Sequence, residues 1–113
     1  MTLNMNSKND EYRNRSVDKI NEYVKCETKS RNIEKSIYNY MIDYSKENNI
    51  TRSWTNQIFF NLYFSKIRSI CLNLNKESYI KNDYLIDQID NDKINPEEIA
   101  KLSVYDIYPD NWK

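Results

Sequence analysis

The stretch from Ser53 to Leu74 reads SWTNQIFFNLYFSKIRSICLNL, and its periodicity decides the fold. At about 100° per residue, Phe59, Phe60, Tyr63, Phe64, Ile67, Ile70, Cys71 and Leu74 fall in one unbroken stripe. The stripe is roughly 140° wide, as expected of a helix that buries one side. Ser53 is the predicted N-cap. Ile58, Leu62 and Leu72 lie off the stripe, so contact on more than one side is expected, and the helix belongs at the centre of the fold. The run from Ile58 to Phe64 alone would also suit a buried strand. A lone strand has no pairing partner elsewhere in the chain, and the stripe keeps its helical period well past Phe64.

Upstream, Val17, Ile20 and Val24 recur at helical spacing with Tyr23 at the edge, predicting a first helix over 14–28. Ile33, Ile37, Tyr40, Met41 and Tyr44 predict a second, stopping near Asn48-Asn49. Residues 1–12 carry no apolar period and read as a flexible tail. Downstream, Tyr79-Ile80 and Tyr84-Leu85-Ile86 with Ile89 suggest one or two helical turns. Asn95-Pro96-Glu97-Glu98 has the marks of a helix start: a capping residue, proline at the first position, then acids at the positive helix end. Ile99 and Leu102 are the apolar positions of that helix. Ser103 with Asp106 starts another, which must end before Pro109. The expected architecture is all-α, a three-helix bundle with additional short C-terminal helices. A chain of 113 residues has room for one core, so residues 13–113 form one domain.

Composition narrows the chemistry. The chain is 39% hydrophobic and 30% charged, enough for a packed core under a polar surface. It has no histidine, which excludes Ser-His-Asp and Cys-His catalysis and histidine-containing zinc sites. It has no glycine, which excludes the phosphate-cradling loops that need close backbone approach. Asparagine must then serve at left-handed stops, and Asn48-Asn49, Asn82 and Asn91 stand where such stops are needed. Cys26 and Cys71 belong to no C-x-x-C pair, so no metal site is expected. Both read as small hydrophobes in a reducing compartment. No apolar run approaches the roughly 20 residues of a membrane span, and Thr2 to Asn9 lacks an apolar leader core. An intracellular protein without a membrane partner is expected. Residues 83–113 hold three basic and eight acidic side chains, net −5, which leaves +5 for residues 1–82 of a neutral chain. That excess is too weak and too scattered for a general nucleic-acid binder, so direct contact with nucleic acid is weak or absent.

Candidate functional residues are few. Glu97-Glu98 and Asp90-Asp92 are the tight acidic clusters, in helix-start and loop contexts where solvated charge is the simpler reading than acid–base or magnesium chemistry. No catalytic residue is assigned, and the chain is not expected to be an enzyme. Lys66 and Arg68 lie about 160° apart on the helical wheel, at opposite borders of the apolar stripe. They either cover the core edge with their stems or, with Arg52, Lys76 and Lys81, surround an acidic partner. Trp54 and Trp112 are either anchors into the domain itself or anchors for a partner.

Tyr63-x-x-Lys66-Ile67-Arg68-Ser69-Ile70-x-x-Asn73-Leu74 resembles the third-helix motif of the central domain of the transcription elongation factor S-II (TFIIS) family. Arg15 and Ile33-Glu34 are similar to that family's first-helix Arg and second-helix Ile-Glu. Ile94-Asn95-Pro96-Glu97-Glu98-Ile99-Ala100 resembles its Ile-x-Pro segment, and Pro109-Asp110-Asn111-Trp112 its Pro-x-x-Trp ending in viral members. The resemblance covers about 15–113. It implies a three-helix bundle that docks onto multi-subunit RNA polymerase as a monomer, with Arg52, Lys66, Arg68, Ser69 and Lys76 as polymerase-binding residues. Full-length members carry a zinc ribbon whose tip stimulates cleavage of stalled transcripts; that ribbon, its zinc and the family's N-terminal domain are absent from this chain. The glycine that usually precedes the Ile-x-Pro segment is replaced within Asp90-Asn91-Asp92-Lys93. A piece of a longer member is the preferred expectation over a binding-only homologue. The excess of Asn, Ile, Lys and Tyr looks like AT-rich coding, and with the missing first domain it suggests a large DNA virus or similar source, hence the nucleus or a cytoplasmic viral factory. The alternatives are an unrelated helical adaptor for a peptide or partner helix, and a weak nucleic-acid binder.

Overall fold

Asn56 opens the central helix. Its side-chain oxygen accepts the Phe59 N–H at 3.0 Å, satisfying one of the donors that a first helical turn leaves orphaned. The expected cap, Ser53, lies one turn too early. Its hydroxyl meets Thr55 instead, and the chain makes a turn in which Asn56 N–H bonds the Ser53 carbonyl. That turn turns Trp54 in against Phe59 and Tyr63, which is what delays the helix start.

The structure is a computed structural model that describes residues 2–109, with side chains from Asn9 onward. It is all-α. Three long helices, α1 (Thr2–Val24), α2 (Glu27–Glu47) and α3 (Gln57–Leu74), pack against one another. Three short elements follow: α4 (Tyr84–Asp90), a 3-10 helix (Pro96–Lys101) and α5 (Val104–Ile107). Among the described residues there is no strand.

The first helix begins well before the expected 14 and ends one turn before 28. Residues 1–12 were expected as a flexible tail, whereas α1 already starts at Thr2. Asn9 accepts the Trp54 Nε1–H at 3.0 Å, and the Tyr12 ring lies 5.2 Å from that of Trp54. These two contacts supply tertiary support that no apolar repeat announces. The early stop comes from Lys25, which adopts φ 57° and leaves a two-residue link to α2. A left-handed lysine costs about 1 kcal/mol, offset here by the antiparallel packing it permits.

Of the asparagine stops, Asn49 takes the left-handed conformation at φ 56°. At the other two the neighbours, Lys81 and Asp92, take it. Asn82 is fully buried instead. Its oxygen accepts the Tyr84 and Leu85 N–H groups, opening α4, while its amide donates to the Ile107 carbonyl and to Asn73. One side chain thus ties α3, α4 and α5 together. Asn95 and Ser103 cap their elements as expected, accepting from Glu97 and Asp106 N–H. The 3-10 helix seats Ile99 and Ala100 on α2, where Ser36 Oγ accepts the buried Ala100 N–H at 2.8 Å. Lys29 on α2 donates to the Ile89 carbonyl at the end of α4 and pairs with Asp92, a cation placed at the negative end of a helix. The acidic C-terminal third is in this way fastened to the basic first two-thirds.

All six elements feed one core. Ile20, Ile33, Ile37, Tyr63, Leu85, Ile89 and Ile99 have no exposed surface. Of the residues off the α3 stripe, Ile58 is 58% exposed, so contact on that side, expected from sequence, is not made within the domain. Leu62 and Leu72 are half-buried.

Candidate docking surface

Three helices meet at a buried polar junction. Glu34 on α2 is 3% exposed. Arg13 on α1 donates to it through Nε and Nη2 at 2.8–3.1 Å, and Tyr63 on α3 donates its hydroxyl at 2.7 Å. The Arg13 guanidinium also lies over the Tyr38 ring, 3.9 Å from its centroid. Burial by itself would lower the Arg13 pKa, but the hydrogen bonds and charge of Glu34 prevail and the net shift is upward. Burial, reinforced by the Glu34 charge, pushes the Tyr63 phenol well above its ordinary value. The residue that meets Glu34 is Arg13; Arg15 is exposed and pairs with Glu11 on its own helix.

This junction sets the rotation of α3, and so decides what the helix shows to solvent. Its inward stripe is buried as expected, with Phe60 and Phe64 half-buried at one border. The outward arc carries exposed Ile58, Asn61, Ser65 and Ser69. Lys66 and Arg68 stand at its two borders. Lys66 is half-buried on the α2 side, its ammonium 5.1 Å from the Tyr40 ring centroid, and burial lowers its pKa. Arg68 is exposed on the α1 side. Lys66 thus covers the core edge, and Arg68 is open to solvent.

The five candidate residues do not form one cluster. Ser69 is exposed on the arc between Lys66 and Arg68, and Lys76 is exposed in the turn after α3. Arg52 precedes α3, at the far end of a helix about 27 Å long. Lys66, Arg68, Ser69 and Lys76 can share a partner surface; Arg52 joins only a long one. Asp90, Asp92, Glu97 and Glu98 are all exposed. Trp54 sits half-buried among Tyr12, Phe59, Tyr63 and Phe64 with its N–H engaged, which makes it an internal anchor. Trp112 lies outside the described residues.

Sequence reasoning missed a groove of about 520 Å³ between α1 and α3. Phe64, Ile67, Cys71, Leu72 and Tyr23 form its apolar lining, and Arg15, Lys19 and Arg68 are cations along it. The legible signal was the row Arg15, Lys19, Tyr23, spaced by four along α1 beside the buried Ser16 and Ile20.

Cys71, in that groove, is 4% exposed, and burial raises its thiol from 9.0 to about 11, with Lys19 pulling it down and Glu22 up. The folded protein thus keeps a proton that the unfolded chain releases. Stability is complete below about pH 9 and falls as pH rises toward 11. Tyr63 adds to the loss above its ordinary pKa of 10.0. Urea unfolding midpoints should drop across this window, and less steeply in Cys71→Ala. A midpoint independent of pH would contradict the burial of both groups.

No protein-family model, curated protein or solved structure matches this chain.

Proposed function

We propose that this chain is an S-II-like docking domain that binds multi-subunit RNA polymerase through the outward arc of α3 and acts by binding, not by catalysis. The observation that carries the reading is the exposed arc of the central helix, bordered by a cation on each side. Lys66 and Arg68 stand about 160° apart around a helix roughly 10–12 Å across. An acidic surface that engages both must straddle α3 and cover Ser69 between them. The motif from Tyr63 to Leu74 supports the reading, since Tyr63 and Leu74 face inward while Arg68 and Ser69 face out. In a full-length protein of this type, docking would position a zinc ribbon to stimulate cleavage of stalled transcripts, in the nucleus or a cytoplasmic viral factory.

The test is a pull-down of purified multi-subunit RNA polymerase by the wild-type chain and by Lys66→Glu with Arg68→Glu. Losing two rim cations and adding two repulsive charges should weaken capture at least about tenfold, with far-UV helicity unchanged. Equal capture by the folded double variant, or none by the wild type, would overturn the reading. If RNA alone were bound, with affinity falling steeply as salt rises, the weak nucleic-acid binder would replace it.

A further inference from the structure

The groove between α1 and α3 meets the outward arc at Arg68 and has a chemistry of its own. Its lining runs from Phe64 on α3 to Asn75 at that helix's end and from Arg15 to Tyr23 on α1, a length of about 12–16 Å at 1.5 Å per residue. That is two to three helical turns. Two neighbouring helices roughly 8–10 Å apart leave a furrow into which a third helix packs its ridge. Phe64 and Leu72 are half-buried there. Lys19 and Arg68 are exposed and form no ion pair among the described residues. Arg15 is held by Glu11 at 3.1 Å with both side chains largely exposed, a weak pair that an incoming carboxylate can exchange.

We infer that this groove binds a short amphipathic helix of a partner protein, with apolar residues seated between Phe64 and Leu72 and acidic residues facing Arg15, Lys19 and Arg68. Charge complementarity selects this occupant. The groove presents cations on both walls and an apolar floor, which is the inverse of an acidic helix with one apolar stripe. Nucleic acid fits less well, because bases need open ring faces to stack on. The Phe64 ring is already met by Tyr12, Phe60 and Tyr63. The inference goes beyond the polymerase reading and does not depend on it.

The experiment uses the full chain and a fluorescent synthetic peptide of roughly 15 residues, with Leu at i, i+3 and i+7 and Glu flanking that stripe. Anisotropy should rise on binding. The same peptide with Lys in place of each Glu should bind at least about tenfold more weakly. Arg15→Glu with Lys19→Glu should weaken the acidic peptide about tenfold or more while leaving polymerase capture intact. Leu72→Ala, with helicity checked by circular dichroism, should weaken both peptides, because it removes apolar contact. Lys66→Glu, on the far border of α3, should leave peptide binding unchanged and reduce polymerase capture, so the two readings fail separately. Equal binding of acidic and basic peptides would overturn the inference, as would insensitivity to Arg15→Glu with Lys19→Glu. Sedimentation showing two copies joined through the groove, or tighter binding of an RNA oligomer than of the acidic peptide, would overturn it too.

Discussion

Glu34→Ala lowers the stability of the domain by about 3–5 kcal/mol, the cost of breaking a buried ion pair by removing one partner. The side chain is 3% exposed and takes hydrogen bonds from both Arg13 and Tyr63. Its loss takes the carboxylate away from the Arg13 guanidinium, which still lies over the Tyr38 ring, and leaves the buried Tyr63 hydroxyl with Ser16 in place of a charged acceptor. Domains of this size have about 5–15 kcal/mol in total, so the variant should be partly unfolded well below the wild-type melting temperature. Glu34→Gln keeps an acceptor for Tyr63 and loses the charge, and should fall between the two. Replacing both partners, Arg13→Met with Glu34→Leu, removes the desolvation cost along with the attraction and should recover much of the loss. Urea denaturation of the four proteins checks the series. If Glu34→Ala melted like the wild type, the junction would not be what orients α3.

Trp54→Ala costs about 2–4 kcal/mol, somewhat below the range for a fully buried aromatic, because the indole is half-buried. The indole packs on Phe59, Tyr63 and Tyr12 with ring centroids 5.0–5.2 Å away, and its N–H is the tie to Asn9. Two effects should therefore separate. Global stability falls, and hydrogen exchange in the first turns of α1 should rise by more than the global change, because those turns have lost their anchor. Trp54→Phe restores most of the packing without the N–H, so it should recover stability while leaving α1 exchange fast near Asn9. Uniform protection of α1 in both variants would show that its start does not rely on Trp54.

The α3 stripe was legible because helical period and burial coincide over five turns. Six of its eight residues are buried, and the other two line its border. The Asn95 and Ser103 caps were legible for a local reason: a short polar side chain bonds an N–H two or three residues on, whatever surrounds it. The Ser53 cap failed on the same chemistry, since Asn56 offers an equal side chain three residues later and the packing of Trp54 chose between them. The start of α1 was not legible. Asn9 and Tyr12 earn their place through contacts with Trp54, more than forty residues away.

Choosing between Arg13 and Arg15 was possible in part. Arg13 stands four residues before Val17 and seven before Ile20, on the buried stripe, while Arg15 lies well off it. No local signal says that Glu34 and Tyr63 converge on that arginine from two other helices. The candidate site divides the same way. Sequence periodicity put Lys66 and Arg68 at opposite borders of α3, since that depends only on 100° per residue. Which border faces α2 and which opens into a groove with α1 depends on the rotation of α3 within the bundle.

The sequence by itself determined an all-α chain, its helical stripes and its late caps, because these arise from interactions a few residues apart. Only the tertiary structure decided the Arg13–Glu34–Tyr63 junction, the early start of α1 and the cationic groove. Each of these joins residues on different helices, and their meeting is set by how the whole core packs.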